Sequence, residues 1–191
     1  MMKQIITSVK FLIVVTLITG ILYPLLIAGI ANLFFSEKAR GSLVKRNEIV
    51  IGSALIGQNF ENPEYFHGRP SAVEYNPIPS GASNLGPMNP VLENLVTSRK
   101  KKFLRENLLA DTTHLFPEML FSSASGLDPH ISPESAMIQV ERIAKARGFD
   151  QAEKLKLVDL IKNMSEIRQF SLLGEPRINV FLLNLKTDSL K

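Results

Sequence analysis

Four residues with catalytic potential crowd into one short stretch: Ser123, Ser125, Asp128 and His130. Hydroxyl, imidazole and carboxylate are the parts of a serine hydrolase, where the imidazole takes the hydroxyl proton and its other nitrogen meets the carboxylate. The Gly-x-Ser-x-Gly elbow that would expose such a serine is missing, because Ser123 and Ala124 stand where its first glycine belongs. A segment this short rarely turns all its side chains onto one another. Asp128-Pro129 reads more naturally as turn chemistry and Ser132 as a helix cap. His67, His114 and His130 lack metal-ligand spacing, and there is no Gly-x-x-x-x-Gly-Lys-Ser/Thr phosphate loop. The absence of cysteine excludes a disulfide framework, a Cys-ligated zinc and a thiol nucleophile. The sequence therefore predicts no catalytic residue and no metal site. A membrane-anchored extracytoplasmic hydrolase using Ser123 or Ser125 is the alternative, with an anchored binding module beside it.

The elements around this stretch begin with an anchor. No charged residue occurs from Phe11 to Ser36, long enough to cross a hydrocarbon core of about 30 Å at about 1.5 Å per residue. The apolar run exceeds that of a signal peptide, although Gly29-Ile30-Ala31 is a weak cleavage-like site. The expectation is residues 1–36 as tail and single transmembrane helix (about 11–35), then residues 37–191 as one soluble domain. Lys3 and Lys10 precede the span, and Lys38, Arg40, Lys45 and Arg46 follow it. That count does not favour a cytoplasmic N-terminus, but large following domains translocate largely regardless of charge. Within the span, Thr16, Gly20, Pro24, Ala28 and Asn32 recur every four residues. They form a slowly winding ridge of mostly small residues on which another membrane helix can pack. Pro24 removes a backbone donor and can free the carbonyl of Gly20, a kink that a neighbouring helix can stabilise.

The rest reads as α+β: a small sheet with about three helices. Val50 to Ile56 predicts a short strand broken by Gly-Ser, and Tyr65-Phe66 the start of another. Arg69 to Pro90 is dense in Pro, Ser, Gly and Asn and predicts a long loop pinned by Tyr75, Ile78, Leu85 and Met88. Its uncommitted polar residues, Arg69, Ser71, Asn76, Ser83 and Asn84, are the expected partner contacts, along with the ridge. Asn89-Pro90 opens a helix with an apolar side of Leu92, Leu95, Val96 and Phe103, and with Arg99 to Lys102 on and around the other side. Ser132-Pro133 opens the next helix, which Gly148 ends, and Asp150 with Glu153 caps a third. Arg177 to Leu185 predicts a nearly buried strand. The net charge of +4 has a local source in the Arg99–Lys102 run. We read that run as a solvated face, with membrane lipid a secondary partner and nucleic acid none. One helix cannot form a pore, and the Asp-Lys-Thr-Gly phosphorylation sequence of a P-type pump is absent. The residues thus describe an accessory protein that packs on other membrane helices.

Several segments together resemble one family. They are GILYPL (20–25), GSALIGQNF (52–60), YFHGRPSAVEYNPIPSGASNLGPMNP (65–90), SASGLDPHISPESAMIQVERIAKARG (123–148) and LGEPRINVFLLNL (173–185). In order and spacing they are similar to KdpC, the small subunit of the bacterial Kdp potassium-transporting ATPase. Arg40 departs from the pattern where Asn is expected before Gly41, and Asn47 where Gly is expected; Asn tolerates positive φ. The resemblance implies three protein partners: a potassium-binding channel-like subunit, a P-type ATPase subunit and a very small single-span subunit. It also implies the cell inner membrane, with the soluble domain on the outer face, and a role in raising the ATP affinity of the pump subunit. It implies no tightly bound cofactor, with ATP reached through the pump subunit. Gln58, Ser123, Ser125 and Gly126 are the nucleotide candidates it suggests. ATP is cytoplasmic, however, and only about ten residues precede the span. That leaves indirect coupling through the packed helix, an inverted topology, or a mainly structural role.

Overall fold

The computed structural model describes residues 1–111 and 114–190. The chain divides into two compact units, Met1–Ser53 and the remainder from Ala54.

The first unit is dominated by one apolar helix, Met2–Phe34, long and apolar enough to cross a membrane. It comprises α1 (Met2–Leu17), a π-turn (Ile18–Leu22) and α2 (Tyr23–Phe34). The π-turn falls immediately ahead of Pro24. There the Tyr23 N–H reaches back five residues to the Ile18 carbonyl, widening the helix where the proline ring would crowd the preceding turn. Asn32 satisfies its own amide by donating to the Ala28 carbonyl at 2.8 Å. After the short α3 (Ser36–Ala39) comes an antiparallel hairpin of β1 (Leu43–Arg46) and β2 (Ile49–Ser53). Its turn residues Asn47 and Glu48 have φ of 51° and 63°, so Asn47 takes the left-handed conformation that a glycine would adopt freely. The predicted 50–56 strand therefore stops at Ser53; Leu55 and Ile56 lie outside the ladder.

Among the described residues, the second unit is built around four α-helices. Asn89 caps α4 (Pro90–Glu106), its side chain accepting from the Val91 N–H. Ser132 caps α5 (Pro133–Arg147), which ends at Gly148 with φ 66°. Asp150 and Glu153 close the predicted capping box on α6 (Gln151–Met164). Phe103, Ile131, Ala136, Val140, Ile143, Leu157, Ile161, Ile178 and Leu183 form the core. At about 1.5–3 kcal/mol for each large buried side chain, these helix faces supply most of the driving force. Arg99 does not join the solvated face of α4. It turns inward and donates to the Leu120 carbonyl and Ser122 hydroxyl at 2.9 and 3.2 Å.

Two predicted strands are not strands. The segment 177–185 contributes only β4 (Ile178–Asn179), paired with β3 (His130–Ile131), and then becomes α7 (Val180–Thr187), capped by the Asn179 side chain. Tyr65-Phe66 leaves a turn, the Tyr65 N–H donating to the Asn62 carbonyl at 3.0 Å, and joins no sheet; side chains take the place of a neighbouring strand. Asn184 accepts from the Phe66 N–H and donates to its carbonyl, at 2.8 and 3.0 Å. Gln139 does the same for His67, at 2.8 and 3.1 Å. Two buried amides thus supply the ladder bonds this segment needs. The α+β class holds, with one more helix and less strand than expected.

Between α6 and β4, residues 166–177 form a second hairpin. Glu166 and Arg177 pair at its base, and Gln169 and Leu173 near its tip.

Candidate functional site

Three chain segments meet around Arg69: the turn at Gly57, the start of the long loop, and the 123–130 loop. The Arg69 guanidinium donates to Asp128 Oδ2 at 2.9 Å. Asp128 Oδ1 accepts from the His130 backbone N–H at 3.0 Å and lies 3.2 Å from His130 Nδ1. Burial pushes the Asp128 carboxyl up, but the His130 hydrogen bonds and the Arg69 charge outweigh it and hold the group below its ordinary range.

Ser71 organises the loop that follows, its hydroxyl accepting from the N–H groups of Val73 and Tyr75 at 3.1 and 2.9 Å. The Tyr75 hydroxyl donates back to the Arg69 carbonyl. Burial, reinforced by the Asp128 charge and opposed by Arg69, pushes that phenol up to about 12, so Tyr75 stays a neutral donor at physiological pH. Main-chain bonds tie the segments together. Gly57 donates to the Leu127 carbonyl at 2.7 Å and Gly81 to the Ser125 carbonyl at 3.0 Å. Gly126, at φ 70°, lies so close to the long loop that a Cβ there would meet Val73 Cγ2 at 2.6 Å and the Gly81 carbonyl at 2.9 Å.

Ser123, Ser125 and Gly126 therefore lie with Arg69 and Ser71, and Gln58 follows the docked Gly57. Asn76, Ser83 and Asn84 are exposed farther along the same loop. Tyr75 pins the loop as predicted, whereas Ile78 and Met88 face outward. Ser123 is buried, and the Ser125 hydroxyl accepts from the Leu127 N–H at 3.1 Å. The Asp128 carboxylate is committed to Arg69 and His130. This geometry locks two loops into a platform. The ridge residues Thr16, Gly20, Pro24, Ala28 and Asn32 belong to the first unit, all exposed.

Sequence reasoning missed the network beneath the platform. Arg142 donates to Asn107 Oδ1 at 2.9 Å, to Gln139 Oε1 at 2.7 Å, and to the Pro63 and Tyr65 carbonyls at 2.6 and 3.0 Å. The available signal was Gln139 and Arg142 interleaved with the apolar positions of α5. Beside it, a depression of about 550 Å³ is lined by His67, Arg69, Glu74, Arg99, Lys102 and Glu106. Burial, and then the Arg142 charge, pull His67 down from 6.5 to about 4. Glu106, 3.8 Å from His67 Nδ1, is shared with Lys102 at 3.9 Å. Between pH 6.5 and 4 the unfolded chain binds a proton at His67 that the fold refuses, so stability is lost as pH falls through that window and regained as it rises. His67→Asn should flatten this part of the stability–pH curve in chemical denaturation. An unchanged slope would assign the loss to other groups.

Comparison with known proteins adds a further finding. The family model described as "K+-transporting ATPase, c chain" (KdpC) matches residues 5–189. A potassium-transporting ATPase KdpC subunit from Rhodopseudomonas palustris (strain BisB18) is 43% identical over 205 aligned residues, covering 100% of both chains. The one from Leptospira interrogans is 44% identical, over 95% of this chain and 92% of the relative. The one from Caldanaerobacter subterraneus is 42% identical, over 96% and 93%.

Proposed function

The chain belongs to the KdpC family of potassium-transporting ATPase subunits, and from that premise we propose that it is a non-catalytic accessory subunit stabilising the assembled transporter. Its helix packs on the membrane helices of a potassium-binding channel-like subunit, a P-type ATPase subunit and a very small single-span subunit. Its second unit lies on the outer face of the inner membrane and covers the outer mouth of the potassium-binding subunit. It raises the pump subunit's ATP affinity indirectly, by stabilising one pump state through the packed helix, a coupling of about 1–3 kcal/mol.

The observation that carries this reading is the platform. The Arg69–Asp128 ion pair and the Gly81–Ser125 main-chain bond hold the Arg69–Pro90 loop against the 123–130 loop, while the Ser125 hydroxyl and Asp128 Oδ1 fix the second loop internally, giving the ordered surface that recognition requires. Asn76, Ser83 and Asn84, exposed on that loop, are its partner contacts, and Arg69 and Ser71, expected among them, instead hold the loop in place. The test is affinity purification of the tagged chain from potassium-starved cells in mild detergent, with potassium-stimulated ATPase assayed with and without it. Recovery of the pump and channel-like subunits, with activity lost when the chain is removed, supports the proposal. Recovery of the chain alone refutes it, and labelling of Ser123 or Ser125 by a serine-reactive probe would revive the hydrolase.

The ridge gives a sharper prediction. A Cβ added at Gly20 would meet only Thr16 Cγ2, at 4.0 Å, so the helix itself tolerates a side chain there. Gly20→Leu should nevertheless reduce recovery of the other subunits about tenfold, because close approach in lipid requires small residues. Undiminished recovery would place the helix–helix contact on another face.

A further inference from the structure

The 166–177 hairpin carries large apolar side chains that the fold does not use. Phe170 is 90% exposed, Ile167 80%, Leu172 78% and Leu173 58%. One exposed leucine needs no explanation, but four such residues on one projecting turn make a patch that marks an interaction site.

The patch is pre-shaped. Gln169 and Leu173 exchange both backbone hydrogen bonds at 2.9 Å, and the Ser171 and Leu172 N–H groups donate to the Arg168 and Gln169 carbonyls at 3.1 Å. Phe170 and Ser171 hold φ of 54° and 60°, a conformation unfavourable for side chains of this kind. A tip ordered in this way has already met much of the ordering cost of docking.

Resting on the accessory-subunit reading, we propose that this hairpin is a knob that seats Phe170 and Leu172 in an apolar socket on another protein subunit of the transporter. Its charge favours protein over lipid. Glu166 pairs with Arg177 and Arg168 with Glu175, each at 2.8 Å, leaving the hairpin with no net charge. It contains no Lys, Trp or Tyr. Elements that bind membrane surfaces carry excess basic charge and interfacial aromatics. A socket rimmed by polar groups would meet the two ion pairs around an apolar centre, the usual anatomy of a protein interface. The knob is also continuous with the platform. A groove of about 480 Å³ is lined by Ile167, Leu173 and Pro176 from the hairpin and by Arg69, Asp128 and His130 facing them.

The test uses the full chain expressed with its transporter. A photo-crosslinking benzoylphenylalanine in place of Phe170 should join this chain to another transporter subunit, identified by mass spectrometry. Crosslinks only to lipid, only to a second copy of this chain, or to nothing would overturn the proposal. The double variant Phe170→Asp with Leu172→Asp should lower recovery of the other subunits about tenfold or more. Unchanged circular dichroism would verify its fold. Leu155→Asp, on α6 at a residue 56% exposed, should leave recovery intact. Full recovery with the double variant refutes the knob alone. Failure of the unmodified chain to recover any transporter subunit refutes the accessory-subunit reading and the knob with it.

Discussion

Arg142→Leu should lower the unfolding free energy by about 3–5 kcal/mol, the range seen when one member of a buried charged network is removed. The side chain is only 5% exposed. Burial pulls its guanidinium down to about 10, with the Glu106 charge opposing, so it is cationic at neutral pH. A lone buried cation would be costly; four hydrogen-bond acceptors offset that cost here. Leucine would strand Asn107 Oδ1 and the Pro63 and Tyr65 carbonyls, each worth about 1–3 kcal/mol if left unpaired. It would also release the 63–67 segment, from which the long loop departs. Arg142→Lys should recover part of the loss, because an ammonium keeps the charge but lacks the planar fork that reaches several acceptors. Urea unfolding of the detergent-solubilised full chain, followed by circular dichroism, measures both variants. A loss below about 1 kcal/mol for Arg142→Leu would mean that water replaces the guanidinium.

Local chemistry was legible in the sequence; substitutes for local chemistry were not. The caps at Asn89, Ser132 and Asp150 and the stop at Gly148 each depend on residues within a turn of one another, and each stands where its sequence signal lies. The C-terminal helix was misread because RINVFLLNL is apolar almost throughout, so the eye counts length and β-branching. Its real period lies in Val180, Leu183, Asn184 and Thr187, all buried at helical spacing, two of them polar. Tyr65-Phe66 has the composition of a strand but follows directly on a turn. What it lacks is a partner strand, and its ladder bonds come from Asn184 and Gln139, which are 118 and 72 residues away. No local pattern reports that. The anchor and the site loops were legible as segments, but the joining of Arg69 to Asp128 across 59 residues was not.

Gly126→Val tests whether that joining matters to partners. A side chain here incurs two costs. The left-handed φ of 70° costs about 1–2 kcal/mol for any L-residue. The Cβ would also strike Val73, the Gly81 carbonyl and the Ser71 hydroxyl at 2.6, 2.9 and 3.1 Å. Gly148 separates the two costs, because it has φ 66° but open space around its Cβ position. Gly148→Ala should therefore lose only the conformational part, and Gly126→Ala distinctly more. The larger valine should push the 71–81 stretch off the 123–130 loop, seen as faster proteolysis there while α5, α6 and α7 stay protected. If partners read the platform, the freed loop must be reordered at each docking, at about 0.5–1.5 kcal/mol per immobilised side chain. Reordering several residues should lower recovery of the other subunits about tenfold or more. Faster proteolysis with undiminished recovery would show that the platform serves the fold alone. The partner contacts would then rest with the membrane ridge and the 166–177 hairpin, where Gly20→Leu and the Phe170 and Leu172 substitutions test them separately.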